Sequence, residues 1–285
     1  MAAISQASTS CLVNGEPVCC LDVADRGFNY GDGVFTTVAV RQGAPLFLSR
    51  HLARLQADAA SLGLPFPGIP VLEGEARRLC AQHPASVLKI VLTRGVGGRG
   101  YRLPAQSAGN RVLSTHPLPD FPAGVRESGV KARICALSLG LNPRLAGIKH
   151  LNRLEQVLAR AEWGSEEAME GLVLDYEGFL VEGVASNVFL VCDGGLRTPL
   201  LDRCGVAGVM RGLVMEAARA AGLAVSEARL RPDDAFRADE IFLTNSVIGV
   251  WPVCDLGGVA LPAGGIARRL AERIDALAAE ELKCP

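Results

Sequence analysis

Apolar residues along this chain follow two patterns, one with helical spacing and one made of short alternating runs. Residues 48–62 carry an apolar residue every three or four positions, which predicts an amphipathic helix with Ser49 as its N-cap and Gly63 just past its end. The same spacing predicts four more helices, over residues 71–83, 151–163, 208–221 and 266–282.

Runs rich in β-branched residues predict strands between these helices. An Asn-Gly pair at 14–15 predicts a hairpin of residues 11–13 and 17–20, and residues 34–41 alternate as a strand does. Further strands are predicted over residues 45–48, 87–93, 130–137, 171–175, 179–191, 224–229 and 240–244. Helices and strands mix without a regular strand–helix–strand repeat, so the predicted fold class is α+β.

A proline-rich, polar stretch, Pro117–Gly124, predicts the boundary between two domains. We divide the chain into an N-terminal α+β domain (1–117), a linker (118–124) and a C-terminal α+β domain (125–285). The second of these domains carries the candidate lysine discussed below.

Composition narrows the functional classes. Apolar residues make up 49% of the 285 residues, enough for the cores of two modest domains. A net charge of −1 argues against nucleic acid or an anionic membrane as the main partner. No run approaches the roughly 18 apolar residues of a spanning helix. The first sixteen residues lack the basic and apolar regions of an export signal, so we expect a cytoplasmic protein.

The nine cysteines include no C-x-x-C pair, and the four histidines are not spaced with them as ligand pairs. We therefore expect no metal site. Several cysteines lie in apolar runs, and we expect them to be small buried thiols in a reducing compartment.

Two charged residues in apolar surroundings are candidates for chemistry. Lys149 is one of only four lysines and lies between an apolar stretch and a predicted helix. A desolvated lysine can become a nucleophile that forms a Schiff base, although a solvated lysine at a helix start is the simpler alternative. Glu182 interrupts an apolar strand, where a carboxylate is costly unless it is paired with an arginine or a ligand cation.

Two segments could bind phosphate. The glycines of GVAGVMR (205–211) precede a predicted helix, and the backbone N–H groups of a helix start bind anions. The small polar residues Thr244, Asn245 and Ser246 follow a strand and could donate hydrogen bonds. Ordinary capping and turn formation explain each segment equally well when it is taken alone.

The sequence GVGGRG (95–100) matches a dinucleotide-binding fingerprint, but that fingerprint requires a helix immediately afterwards. The next residues are Tyr-Arg-Leu-Pro, which do not favour a helix. We interpret the segment instead as an arm that carries Arg94, Arg99 and Arg102, residues suited to binding carboxylates.

Seven segments together resemble the fold-type IV pyridoxal-phosphate enzymes, which include D-amino-acid and branched-chain aminotransferases. They follow the order of that family over nearly the whole chain: DRGFNYGDGVFTT, HLARL, TRG, IKHLNRLEQ, VEGVASNVF, GVAGVMR and LTNSVIGVWPV. The resemblance implies a two-domain fold of the D-amino-acid aminotransferase type, pyridoxal 5′-phosphate as cofactor, and a homodimer.

The resemblance also implies roles for individual residues. Lys149 would hold the cofactor, and Glu182 would pair with its ring nitrogen. The implied phosphate contacts are Arg54, the backbone of Val209 and Met210, Ser246, and Asn245 nearby. On the substrate side the implied residues are Tyr30, Phe35, Arg99 and Tyr101, with Thr37 as a second catalytic group beside Lys149.

Within this family, GDGVFTT, RGVGGRGY and GVMR resemble the branch of aminodeoxychorismate lyases. That branch implies conversion of 4-amino-4-deoxychorismate to pyruvate and 4-aminobenzoate, a folate precursor. The alternatives are a D-amino-acid or branched-chain aminotransferase of the same fold, and a non-enzymatic phosphate-binding module that takes up no pyridoxal phosphate.

Overall fold

The structure is a computed structural model, and it describes residues 10–164, 167–262 and 264–283. These residues pack as two compact units. The first runs up to Pro119 and also takes in Lys149–Asn152 and the C-terminal end from Glu280. The second consists of Asp120–Ile148 and Arg153–Ala279. The domain bounds proposed from the sequence stay a prediction.

The first unit is built on a five-stranded antiparallel sheet with strand order β1-β5-β4-β2-β3. Its strands are β1 (Cys11–Val13), β2 (Gly33–Arg41), β3 (Ala44–Pro45), β4 (Ala85–Thr93) and β5 (Asn110–His116). Its helices are α1 (Arg26–Tyr30), α2 (Leu48–Ser61) and α3 (Ile69–Cys80). Leu52 and Leu55 of α2 and Leu72 of α3 are fully buried, which explains the helical spacing of these residues.

The second unit contains a nine-stranded mixed sheet. Its main strand order is β11-β10-β9-β12-β13-β6-β7-β8, and β14 pairs with β13. The strands are β6 (Val130–Leu139), β7 (Glu170–Asp175), β8 (Leu180–Gly183), β9 (Asn187–Cys192), β10 (Gly195–Pro199), β11 (Val225–Ala228), β12 (Glu240–Asn245), β13 (Gly249–Leu256) and β14 (Val259–Ala260). The helices are α4 (Val125–Ser128), α5 (Leu154–Arg160), α6 (Val209–Ala220), α7 (Pro232–Phe236) and α8 (Gly265–Glu281). Phe189 and Phe242 stack with their ring centroids 5.0 Å apart in its core.

The α+β class is confirmed, and all five predicted helices form, although α5 (Leu154–Arg160) covers only the middle of the predicted 151–163. The start of α2 was predicted wrongly. Its N-cap is Phe47, in the left-handed conformation and without a side-chain cap, so that Ser49 lies inside the first turn. Gly63 follows the end of α2 with a φ of +60°, as its lack of a Cβ allows.

Three strand predictions were also wrong. Of the predicted strand 45–48, only Pro45 lies in a strand, because α2 already begins at Leu48. Residues 17–20 form no strand, because β1 finds its antiparallel partner in β5 instead. The run 179–191 is two strands, β8 and β9, separated by a turn that a 2.7 Å hydrogen bond from Gly183 N to Ser186 O closes. That turn follows Glu182 directly.

The cysteines depart in part from the expectation of buried thiols. Cys80 and Cys135 are buried, and burial raises the pKa of each thiol to about 12. Cys20 is exposed. Cys11 and Cys19 form a disulfide, because the turn after β1 brings their Cα atoms to 5.7 Å.

No helix in the described part of the chain is long and apolar enough to cross a membrane.

Candidate active site

Strand β2 places the predicted residues of the FTT segment on opposite faces of the first sheet. Thr36 is fully buried on the side of α2, whereas Phe35 and Thr37 are half-buried on the other side. Thr37 lies opposite Lys89 of β4 in the antiparallel register. The alternation along the strand therefore places Thr37, and not Thr36, on the same face of the sheet as Phe35.

Lys149 packs with the first unit, although its sequence position lies within the predicted second domain. Its backbone is tied to β2, since Phe35 N donates to Lys149 O and Leu151 N donates to Gly33 O, each at 3.0 Å. Its own N–H donates to Asp58 Oδ2 of α2 at 3.2 Å. The Lys149 Nζ consequently lies 4.6 Å from the centroid of the Phe35 ring.

A second amine lies over the same ring. The Nζ of Lys89 is 5.2 Å from the Phe35 centroid. Lys89 was not predicted as a site residue, because a lysine on an alternating strand is usually solvated. The pairing of β4 with β2 would have been needed to find it.

Arg54 is anchored through Thr36. Its Nη2 donates to Thr36 Oγ1 at 2.8 Å, and the same oxygen lies 2.7 Å from Nδ1 of His51. Arg54 also forms an ion pair with Asp58, at 3.8 Å from Nε to Oδ2. The network fixes the guanidinium one helical turn after His51, on the same face of α2. His51 is the first residue of the HLARL segment, but no role was predicted for it.

The loop residues Arg99 and Tyr101 are exposed in the first unit. The ring of Tyr101 meets the edge of Tyr30 at a centroid distance of 5.7 Å. The hydroxyl of Tyr30 accepts a hydrogen bond from Gly100 N at 2.9 Å. Three of the predicted substrate-side residues therefore lie in neighbouring segments: Tyr30 in α1, and Arg99 and Tyr101 in the loop that contacts it.

In the second unit, Glu182 is buried on β8 and accepts a 2.8 Å hydrogen bond from Val206 N. The carbonyl of Val206 accepts one from Asn187 Nδ2 at 2.9 Å. Backbone bonds join Gly147 to both Gly205 and Ala207, so the segment before α6 is fixed on both sides. A buried carboxylate held in this way can pair with a protonated ring nitrogen.

The start of α6 has the features of an anion site. Its N-cap is Gly208, which provides no side-chain cap for the first N–H groups of Val209 and Met210. A Cβ on Gly208 would overlap Asn187 Oδ1. A glycine is therefore required here by close packing, and it leaves the helix start open to a ligand.

Asn245 is the last residue of β12, and Ser246 begins the turn that leads to β13. Asn245 Oδ1 accepts from Val247 N and Ile248 N at 2.8 and 2.9 Å, and its Nδ2 donates to Ala185 O at 2.9 Å. Asn245 therefore shapes the turn that presents Ser246 and links this turn to the one after Glu182.

Glu170 holds the other side of the turn after Glu182. Its buried carboxylate accepts from Ser186 Oγ at 2.8 Å, Ala185 N at 3.2 Å and Gly171 N at 3.0 Å. Burial raises the pKa of Glu170, while these hydrogen bonds act in the opposite direction. Glu170 is the first residue of β7, and nothing in the sequence distinguished it from an ordinary exposed glutamate.

Comparison with known proteins decides the family. The profile of the family Amino-transferase class IV matches residues 33–256. The chain belongs to this family. An aminodeoxychorismate lyase of Vibrio harveyi is 35% identical over 262 residues, which is 90% of this chain and 97% of that protein.

Two solved structures extend the comparison. The crystal structure of 4-amino-4-deoxychorismate lyase from Pseudomonas aeruginosa is 44% identical, with a TM-score of 0.90 over 93% of this chain and 98% of that one. A hypothetical aminotransferase from Mycobacterium tuberculosis in its PLP-bound form is 26% identical, with a TM-score of 0.81 over 96% and 100% of the two chains.

As a class IV member, the protein is a pyridoxal-phosphate-dependent enzyme with the fold of that family. The residues present fit the cofactor. Glu182 is a buried carboxylate, the start of α6 lacks a side-chain cap, and Lys149 supplies a half-buried amine. Among the residues the structure describes, no group of three or more potential ligands is placed to hold a metal ion.

Proposed function

We propose that the protein is a lyase that converts 4-amino-4-deoxychorismate to 4-aminobenzoate and pyruvate for folate synthesis. The observation that carries this proposal is the likeness to the Pseudomonas aeruginosa lyase, at 44% identity over 98% of that chain. The pair Thr36-Thr37 and the arginine-containing glycine loop agree with it. A cytoplasmic location remains a prediction.

Lys149 is the residue we propose to bind the cofactor covalently through Nζ. Glu182 pairs with the ring nitrogen and keeps it protonated, and Val206 lies where its N–H fixes the Glu182 carboxylate. Bound pyridoxal phosphate supplies an electron sink for charge that develops on the substrate.

The phosphate group is assigned to five residues. A fixed cation, helix N–H groups and a hydroxyl together provide the charge and the donors that a phosphate requires. The residues are Arg54, Val209 and Met210 through their backbone N–H groups, Ser246, and Asn245.

The remaining roles follow from what each residue can do. The Lys149 amine, free once the 4-amino group of the substrate has taken its place on the cofactor, would remove the proton from C4 of the substrate. The bond between ring carbon and enolpyruvyl oxygen then breaks, and the ring becomes aromatic. Arg99 and Tyr101 bind a substrate carboxylate, and Tyr30 and Phe35 line the substrate.

The departing enolpyruvyl group must gain a proton to become pyruvate. The donor of this proton is either Lys149 or the hydroxyl of Thr37. Thr37 lies on the same face of β2 as Phe35. Thr37→Val keeps the shape of the side chain and removes the hydroxyl. A large fall in kcat for this variant assigns the proton to Thr37, and an unchanged kcat assigns it to Lys149.

We also propose a homodimer. The first unit exposes Val23, Phe28 and Tyr101 strongly, and α5 of the second unit exposes Leu154 and Val157 on one helical face. Apolar surface of this kind is typical of an interface between subunits. Sedimentation equilibrium should give twice the mass of one chain, and a monomer at assay concentration would contradict the dimer.

The deciding experiment supplies 4-amino-4-deoxychorismate and measures pyruvate and 4-aminobenzoate together. The proposal requires both products in equal amounts without an added keto acid. Amino-group transfer from D- or branched-chain amino acids to 2-oxoglutarate, without pyruvate release, would establish the aminotransferase alternative. Lys149→Ala should abolish turnover, whereas Lys131→Ala, at an exposed lysine, is the matched control.

A further inference from the structure

A buried arginine holds the glycine-rich loop in the first unit. Arg26 lies in α1 and is only 3% exposed. Its Nη1 donates to Gly100 O at 3.1 Å and lies 3.5 Å from Arg102 O. Each of these carbonyls is adjacent in sequence to a residue of the proposed carboxylate-binding pair, Arg99 and Tyr101.

Asp32 fixes the guanidinium of Arg26. Its Oδ2 accepts from Arg26 Nε at 2.9 Å and from Arg94 Nε at 2.7 Å, and its Oδ1 accepts from Arg94 Nη2 at 3.0 Å. Burial raises the pKa of Asp32, but the hydrogen bonds from Arg94 and Arg26 outweigh it and hold the pKa below the usual value. One carboxylate therefore orients two buried arginines.

Both the carbonyl and the N–H of Gly100 are hydrogen-bonded to α1 side chains. Arg26 binds the carbonyl, and the Tyr30 hydroxyl accepts from the N–H. The guanidinium carbon of Arg26 also lies 4.8 Å from the centroid of the Tyr30 ring. These contacts make a single cluster, which we call the loop clamp: Arg26, Tyr30 and Asp32.

Gly97 and Gly98 differ in their distance from the loop clamp. A Cβ on Gly97 would come within 2.7 Å of Arg26 Cδ, whereas a Cβ on Gly98 would meet nothing within 4 Å. The backbone of Gly97 also donates to Ala24 O at 3.2 Å. Gly97 therefore packs against the clamp, and Gly98 does not.

We propose that Arg26 is a positioning residue, which through Gly100 sets where Arg99 and Tyr101 stand when substrate binds. The substrate part of this proposal rests on the proposed function. An exposed loop without the clamp would have to be ordered at the moment of binding, and that entropy cost weakens affinity. Arg26 touches no reacting atom, so its loss should raise KM and leave kcat nearly unchanged.

The test compares Arg26→Met and Gly97→Ala with the matched control Gly98→Ala in the cofactor-loaded protein. Asp32 keeps Arg94 as its partner in Arg26→Met, so no carboxylate is left unpaired. Amide hydrogen exchange over residues 96–103 should be about tenfold faster in both test variants, because the loop opens locally. KM for 4-amino-4-deoxychorismate should rise about tenfold with kcat within about twofold.

Gly98→Ala should match the parent in both measurements. If Arg26→Met keeps its fold and its cofactor and the loop amides exchange at the parent rate, Arg26 does not hold the loop. Faster exchange with an unchanged KM overturns the positioning role. If the parent protein releases no pyruvate, the proposed function fails, and the exchange rates still decide whether Arg26 holds the loop.

Discussion

His51 offers a pH-dependent test of the network that anchors Arg54. Arg54 can only donate, so Thr36 Oγ1 accepts from it, and the same hydroxyl can either donate its hydrogen to Nδ1 of His51 or accept a second one from it. Either neutral tautomer of His51 satisfies this contact, and the second ring nitrogen is Nε2. That atom is buried and has no hydrogen-bond partner among the described residues.

Protonating this imidazole in the folded state is unfavourable. Burial, and then the charges of Arg54 and Lys149, lower the pKa of His51 from 6.5 to about 3. In the unfolded chain the same imidazole takes up its proton near 6.5. The neutral histidine therefore contributes stability above pH 6.5, and this contribution is lost as the pH falls from 6.5 towards 3.

The size of the effect follows from 1.36 kcal/mol per pH unit for one proton. Between pH 7 and pH 5, the unfolded imidazole holds on average about 0.7 proton more than the folded one. The parent protein should thus lose about 2 kcal/mol of unfolding free energy through His51 alone over this interval.

The assay is urea unfolding at pH 7, 6 and 5 of cofactor-free protein, for the parent and for His51→Asn. Asparagine places an amide oxygen near the position of Nδ1 and cannot titrate. The parent should lose about 2 kcal/mol more than the variant between pH 7 and pH 5. Leu52→Ala, at a buried residue of the same helix, should lower stability by about 3 kcal/mol at every pH. If the unfolding free energies of the parent and His51→Asn change in parallel with pH, the conclusion that His51 is buried and neutral is wrong.

Three further predictions concern the proposed roles. Glu182→Gln should still bind cofactor but lose at least about a hundredfold in kcat, which activity and absorbance measurements check, and near-normal turnover would remove Glu182 from the site. Arg99→Ala should raise KM with little change in kcat in steady-state assays, and an unchanged KM would contradict carboxylate binding. Gly208→Ala should weaken cofactor affinity by about 1–3 kcal/mol in fluorescence titration, because its Cβ displaces Asn187. Gly212→Ala, in open space on the same helix, should instead leave that affinity unchanged and raise stability by about 0.5–1 kcal/mol.

The long helices were predictable because their signal is local. The apolar spacing of α2 and α8 reflects one buried face, which neighbouring turns of the same helix define. Strands were less predictable. Neither β5 nor β13 was predicted, because the partner that completes a sheet is distant in sequence.

The candidate site shows the same division. The residue types at Lys149 and Glu182 were conspicuous in the sequence, since a charge in an apolar run needs a reason. The roles of His51, Lys89 and Glu170 were not predictable. Each depends on a partner from another element: Thr36 for His51, Phe35 for Lys89 and Ser186 for Glu170.

By itself, the sequence determined the α+β class, the long helices and the family to which the motifs point. These properties follow from local periodicity and from short segments whose order along the chain is fixed. Only the tertiary structure decided that Lys149 packs on β2, that Val206 holds Glu182, and that Arg26 reaches Gly100. Hydrogen bonds and ion pairs act over a few ångströms, and only packing decides which distant residues come that close.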